Sequence, residues 1–187
     1  MGMLKAFNFV TVNGYFQGPT RDTSWHRHGP EESAYSIEQL ESGDTLLFGR
    51  VTYELMASYW PTPEAIKRDP VVAERMERAE KLVFSRTLKN VEWINAKLVK
   101  GDMEAEVTKL KKMPGRNMAL LGSGSVLTQL AERGLIDEYQ IMVAPVVLGD
   151  GTPMFKGIKK RLNLRLTATR TFGSGVVLLC YQPVVPA

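Results

Sequence analysis

At 187 residues, with 44% hydrophobic and 24% charged, the chain has the makeup of one globular domain, 1–187, long enough to bury a sizeable core. No apolar run approaches the ~20 residues that cross a bilayer. The net charge of +4 is too small, and too interleaved with acids, to favour nucleic acid. The lone cysteine, Cys180, excludes an internal disulfide and points to a reducing compartment, the cytoplasm.

Leu4 to Val12 reads as a first strand, and Asn13-Gly14 opens a long loop running to about Pro30. Lys5, Asn8 and Thr11 break the apolar run, so it has no signal-peptide core. His26 and His28 are alternate residues of that loop, but without a third ligand they make a poor metal site, and no metal is expected. Glu31 to Ser42 is predicted helical, with Gly43 as its C-terminal cap. Thr45 to Phe48 is a short apolar strand, and Gly49-Arg50 leads into a helix from about Thr52 to Ser58, ended by Trp60-Pro61. An amphipathic helix is predicted from about Glu64 to Ala79. Strands follow at Lys81 to Phe84 and Val91 to Ile94, then a helix from Asp102 to Lys112 stopped by Pro114-Gly115.

Met118 to Leu121 is a strand that runs straight into Gly122-Ser123-Gly124-Ser125 and a helix from Val126 to Arg133. Tyr139 to Ala144 is another strand. Leu162 to Ala168 and Val176 to Tyr181 form a hairpin around Phe172-Gly173-Ser174-Gly175. The outcome is an α/β fold whose mostly parallel mixed sheet ends in an antiparallel pair. The apolar stretch Val176 to Leu179 is available to pair across a homodimer.

In such a sheet, ligands sit beyond the C-terminal strand ends. Three of those ends carry suitable chemistry. Gly49-Arg50-Val51-Thr52 joins a glycine, a guanidinium and a hydroxyl placed to cap the next helix. Ser85-Arg86-Thr87 offers two hydroxyls and a second guanidinium. Gly122 to Val126 is a strand–turn–helix junction whose bare N–H groups and helix dipole attract phosphate. The third glycine of the dinucleotide fingerprint is missing, since Leu127 stands there, so an ordinary β–α turn remains open for that segment alone. A planar guanidinium suits bidentate phosphate contacts, which makes Arg50 and Arg86 candidates for an adenosine 2′-phosphate, hence NADPH.

These segments, together with Val12-Asn13-Gly14-Tyr15-Phe16-Gln17-Gly18, Leu82-Val83-Phe84-Ser85-Arg86-Thr87 and Pro145 to Phe155, give the chain its resemblance to the dihydrofolate reductase superfamily. It is most similar to the reductase found as the C-terminal domain of bifunctional riboflavin-biosynthesis deaminase-reductases, and to its stand-alone relatives. The resemblance implies a three-layer α/β/α fold. It also implies an NADPH-dependent oxidoreductase acting on a pterin- or aminopyrimidine-type heterocycle, most like 5-amino-6-(5-phosphoribosylamino)uracil reductase. It implies that Gly49, Arg50, Val51, Thr52, Ser85, Arg86, Gly122, Ser123, Gly124, Ser125 and Val126 bind the cofactor. The stretch from about Val10 to Phe16 would lie along the nicotinamide and the Leu148 to Phe155 loop would cover the substrate side, so Val10, Phe16, Trp25, Gly149 and Phe155 are the candidate substrate-binding residues.

The zinc-deaminase partner needs H-x-E and P-C-x-x-C, which one cysteine cannot supply. Dihydrofolate reductases carry an acid shortly after Trp-x-x-Pro. Here Trp25 is followed by Pro30, and Glu31 and Glu32 are the candidate catalytic acids, with Asp22 a further one. Acids in a first helical turn also suit the helix dipole. Three alternatives stay open: dihydrofolate reduction, a non-catalytic nucleotide- or metabolite-binding protein, and a sheet-mediated oligomerisation module.

Overall fold

A computed structural model of the chain describes residues 1–26, 29–41 and 45–184. Ten strands and six α-helices follow one another as β1 (Leu4–Thr11), β2 (Tyr15–Gln17), α1 (Pro30–Glu41), β3 (Thr45–Gly49), α2 (Arg50–Tyr59), α3 (Pro63–Arg68), α4 (Pro70–Arg78), β4 (Lys81–Phe84), β5 (Ala96–Val99), α5 (Met103–Lys111), β6 (Met118–Leu121), α6 (Gly124–Glu132), β7 (Glu138–Ala144), β8 (Thr152–Pro153), β9 (Leu164–Thr171) and β10 (Val177–Pro183). Eight strands form one sheet in the order β5-β4-β3-β6-β1-β7-β10-β9, and β2 pairs with β8 in a small second sheet. The six from β5 to β7 are parallel, whereas β10 runs antiparallel to both β7 and β9.

The central strands β3 (TLLFG) and β4 (KLVF) are buried along their whole length, which is why they read as unbroken apolar runs. Their alternate residues pack opposite layers. Leu47 and Leu82 join Leu4, Ala6, Leu120, Val107 of α5 and Leu127 and Leu130 of α6. Leu46, Phe48 and Val83 face Tyr53 of α2 and Val72 and Met76 of α4. Phe9, Met142, Leu178 and Cys180 pack with Tyr35 of α1. The result is helix, sheet and helix in three layers.

The structure corrects the sequence reading in four places. The predicted helix 64–79 is two helices, because Pro70 lacks an N–H and pushes Asp69 out of the helical region, to φ −137°, ψ 70°. The strand expected at 91–94 lies instead at Ala96–Val99. Trp93 is buried, with its backbone N–H donating to the Tyr53 hydroxyl, and Asn95 turns through φ 59° before pairing begins. The helices after β3 and β6 start earlier than expected, at Arg50 and Gly124, so Thr52 lies inside α2 rather than capping it. Finally, β10 is flanked on both sides, by β7 and β9, so Val176 to Leu179 has no edge to offer a second copy; the edge strands are β5 and β9. Gly43 and His28 lie outside the described residues.

Lys81, 0% exposed at the start of β4, fixes the join between layers. Its ammonium donates to the carbonyls of Glu77 (3.0 Å), Ala79 (2.8 Å) and Ile94 (3.0 Å) and lies 4.5 Å from the Trp93 ring centroid. Carbonyls at the end of α4 lack intrahelical donors, and this buried cation satisfies two of them.

Candidate functional site

Because β1, β3, β4 and β6 are parallel, their C-terminal ends open on the same edge of the sheet. Beyond them lies a cleft of about 1030 Å³. Gly49 to Thr52, Ser85 to Thr87 and Ser123 to Val126 all line it, so the three strand-end turns share one space. Gly122 lies at its inner end, lining a second cavity of about 180 Å³. Phe16, Gln17, Thr52 and Ser123 line both.

Two of the turns are stitched together by side-chain hydroxyls. The Ser123 Oγ accepts from the Gly49 N–H (2.9 Å) and donates to the Leu121 carbonyl (3.1 Å). The Thr52 Oγ1 in turn accepts from the Ser123 N–H (3.1 Å). Gly122 and Ser123 both sit in the left-handed region, at φ 59° and 60°. That conformation costs glycine little, and a β-carbon on Gly122 would also approach Thr52 Cγ2 to 3.3 Å. The Phe16 ring rests on Gly124, where an added β-carbon would lie 2.7 Å from Cζ.

The helix ends facing the cleft differ in a telling way. Asp102 caps α5, accepting from the N–H groups of Glu104 (2.9 Å) and Ala105 (3.3 Å). Neither α2 nor α6 has a side-chain cap hydrogen bond among the described residues, so their positive N-terminal ends face the cleft without a capping side chain. The charges point the same way. Of the acids lining the cleft, Asp102 is engaged in its cap and Glu104 pairs with Arg133 (3.3 Å). Glu132 accepts the backbone N–H groups of Lys159 and Lys160, which hold its carboxyl below the usual range. Arg50 makes a half-exposed i,i+4 pair with Glu54 (3.1 Å). Arg21, Arg86 and Lys100, also lining the cleft, make no ion pair among the described residues. Chemically, this lining suits an extended, anionic group.

The second cavity is walled by Phe7 and Phe9 of β1, Leu40 of α1, Leu55, Met56 and Trp60 around α2, and Val72 and Met76 of α4. Polar groups enter it only sparsely, from Lys5, Asn8, His26, Gln39 and Gln140 among others, and no carboxylate lines it among the described residues. A largely apolar slot with a few polar groups suits a small flat ring. His26 stacks on Phe9 at 4.8 Å between centroids.

Other expected site residues lie elsewhere. Glu31 and Glu32 reach neither cavity. Glu31 Oε2 accepts the Gly173 N–H (2.6 Å), and Glu32, 1% exposed, accepts from the Gly29 N–H (2.9 Å) and from the Ser174 hydroxyl. They tie α1 to the β9–β10 hairpin, an anchoring task that only the folded chain reveals. Asp22 is exposed, and the Ser24 N–H that it accepts (2.9 Å) holds its carboxyl below the usual range. Trp25 is half-buried outside both cavities, its Nε1–H donating to the Asp22 carbonyl (3.2 Å) and its ring set edge-on to His26. Trp60 takes the place expected of it.

Val10 is a core residue, Gly149 is exposed, and Phe155 packs 6.0 Å from the Tyr139 ring. None of the three lines either cavity. The loops that carry them are nonetheless joined. Asn13 Nδ2 donates to the Leu148 carbonyl (2.7 Å), and the Met154 N–H donates to the Gly14 carbonyl (3.0 Å). Ser85 is also locally engaged, its Oγ accepting the N–H groups of Thr87 and Leu88 (3.2 and 3.0 Å). Lys100 to Glu104 escaped the sequence reading because their strand had been placed five residues early, which hid the strand end they occupy.

The model of the RibD C-terminal domain matches residues 3–178. The uncharacterized protein YyaP of Bacillus subtilis is 35% identical over 173 residues, 92% of this chain and 90% of its own length. A putative riboflavin biosynthesis protein from Shewanella sp. PV-4 superposes with a TM-score of 0.76 at 20% identity, over 98% of this chain and 99% of its own. Dihydrofolate reductase from Enterococcus faecalis, in a complex with NADP(H), superposes with a TM-score of 0.66 at 17% identity, over 97% of this chain and 96% of its own. The fold is therefore of the dihydrofolate reductase type.

Proposed function

The chain belongs to the RibD C-terminal domain family, and on that premise we propose that it is an NADPH-dependent oxidoreductase acting on a pterin- or aminopyrimidine-type heterocycle, most like the 5-amino-6-(5-phosphoribosylamino)uracil reductase of riboflavin biosynthesis. The observation that carries this reading is the convergence of three strand-end turns, two uncapped helix N-termini and unpaired cations on one cleft. The donor set fits the coenzyme: N–H groups for a pyrophosphate and guanidinium forks for a third phosphate.

In this reading Arg50 and Arg86 hold the 2′-phosphate, and the Gly122 to Val126 turn with the start of α6 holds the pyrophosphate. Bound NADPH supplies a hydride equivalent. The shared wall of Phe16, Thr52 and Ser123 would hold the nicotinamide end beside the second cavity, whose aromatic and aliphatic lining would orient a substrate ring and exclude bulk water. The hydride would reduce a C=N bond of the substrate at its carbon, which in a ribosylamino compound is the sugar carbon rather than a ring carbon, and a proton would go to the nitrogen. No carboxylate lines the second cavity among the described residues, so that proton would come from a single admitted water or from His26 or Lys5 in its wall. The same feature disfavours dihydrofolate as the substrate. A homodimer would form along β9, whose outer edge is unpaired, and the reducing cytoplasm is the setting proposed for a buried free thiol.

Isothermal titration tests the cofactor assignment. NADPH should bind about 10- to 100-fold more tightly than NADH, since one charge-assisted contact is worth about 1.5–3 kcal/mol. Arg86→Ala should erase most of that preference and leave NADH affinity nearly unchanged. Equal affinities in the wild type, or no binding of either, would sink the proposal.

A further inference from the structure

Gln140 belongs to β7, a strand flanked by β1 and β10 inside the sheet. Strand alternation sets it on the face of Met142, which packs with Phe9 and with Tyr35 of α1, and its register partner on β1 is Phe7. Its side chain therefore rises on the side of the sheet that holds the second cavity, and it lines that cavity while only 5% exposed. Both of its amide hydrogens are engaged: Nε2 donates to Gln39 Oε1 (3.1 Å) and to Glu138 Oε1 (2.7 Å). Two acceptors on the nitrogen, one of them a carboxylate, fix which way round the amide sits. The Gln140 Oε1 accepts no hydrogen bond among the described residues and retains accessible surface. An acceptor left open on a nearly buried amide is costly unless something fills it.

We infer that Gln140 is a specificity-determining residue whose Oε1 accepts an N–H of the substrate's heterocycle. This deepens the reductase reading and rests on the second cavity being the ring's site. Gln39 and Glu138 hold the nitrogen and the central strand holds the backbone, so the oxygen is the edge of the amide that remains for a ligand. A ring that turns an N–H to this wall completes the amide's hydrogen bonds. A ring with a lone pair or a methyl group there leaves the oxygen unpaired. A site built to hydrogen-bond one group rejects the analogue that lacks it far more strongly than an apolar wall does. The groups assigned to the hydride and proton steps do not include Gln140.

The test measures binding of two pteridines to NADP⁺-loaded protein by calorimetry: lumazine, with two ring N–H groups, and 1,3-dimethyllumazine, with none. The wild type should prefer lumazine by about 10- to 100-fold, the range expected when one buried hydrogen bond is made or left unmade. Gln140→Leu should abolish that preference, mainly by weakening lumazine, with NADPH affinity unchanged. Gln140→Met, unbranched and without an amide, should do the same and serves as the readout if the leucine variant does not fold. A preference that survives the substitution is steric, set by the two methyl groups, and overturns the inference. So does a wild type that binds both probes equally, binds neither, or prefers the dimethyl compound, while intact NADPH binding leaves the reductase reading standing. Loss of NADPH binding in the wild type would instead remove that reading, and the inference with it.

Discussion

Ser123→Ala removes a single oxygen that bridges two strand-end turns. In the folded chain that oxygen, on a residue only 6% exposed, takes the Gly49 N–H at 2.9 Å and donates to the Leu121 carbonyl at 3.1 Å. The substitution strands a buried donor and leaves the carbonyl short of a partner, which costs about 2 kcal/mol. For a domain of this size that is a fall of about 4–8 °C in Tm. Ser123→Gly loses the same hydroxyl but relieves the backbone, since φ 60° strains any residue with a β-carbon. It should recover about 1 kcal/mol of the loss. The expected order of stability is therefore wild type, glycine variant, alanine variant, measured by urea and thermal denaturation. Both variants should also bind NADPH more weakly, because Gly49 and the start of α6 would no longer be held in register. An alanine variant as stable as the wild type, or more stable than the glycine variant, would refute the bridge as described.

Lys81→Met keeps the stem against Trp93 but leaves the carbonyls of Ala79 and Ile94 without the donor that Lys81 gave them. Two stranded carbonyls put the expected loss at about 2–4 kcal/mol in chemical denaturation; a neutral or stabilising outcome would show that the ammonium is not needed there. Glu32→Gln puts an amide donor where the carboxylate accepts from both Gly29 and Ser174. It should lower stability by about 1–3 kcal/mol while leaving NADPH affinity and the pH profile of turnover unchanged. A lost limb in that profile would reinstate Glu32 as an acid catalyst.

What the sequence disclosed follows from how locally each feature is encoded. Buried parallel strands such as β3 and β4 are continuous apolar runs, and the turns after them are marked by glycine and serine, so the edge of the sheet that borders the cleft was legible residue by residue. The edge strand β5 (AKLV) is only partly buried and carries no such run, whereas Val91-Glu92-Trp93-Ile94 alternates like a strand yet folds as a turn around a buried indole. Pro70 was visible, but the amphipathic pattern on either side of it masked the break it makes at Asp69. The second cavity was hidden for a different reason: its walls come from β1, α1, α2 and α4, elements brought together by the sheet order, which no local pattern reports. The exchange of Trp25 for Trp60 is one result.

Phe16, Gln17, Thr52 and Ser123 form a partition common to both chambers. Whatever occupies one side bears on the same four residues that the occupant of the other side must meet, so the two affinities cannot be independent. Thermodynamic linkage then requires the coenzyme to alter the ring's dissociation constant by the same factor by which the ring alters the coenzyme's. Binding titrations of this protein should therefore show a ternary complex with interacting ligands, the coupling factor changing equally for both dissociation constants when the partition is altered.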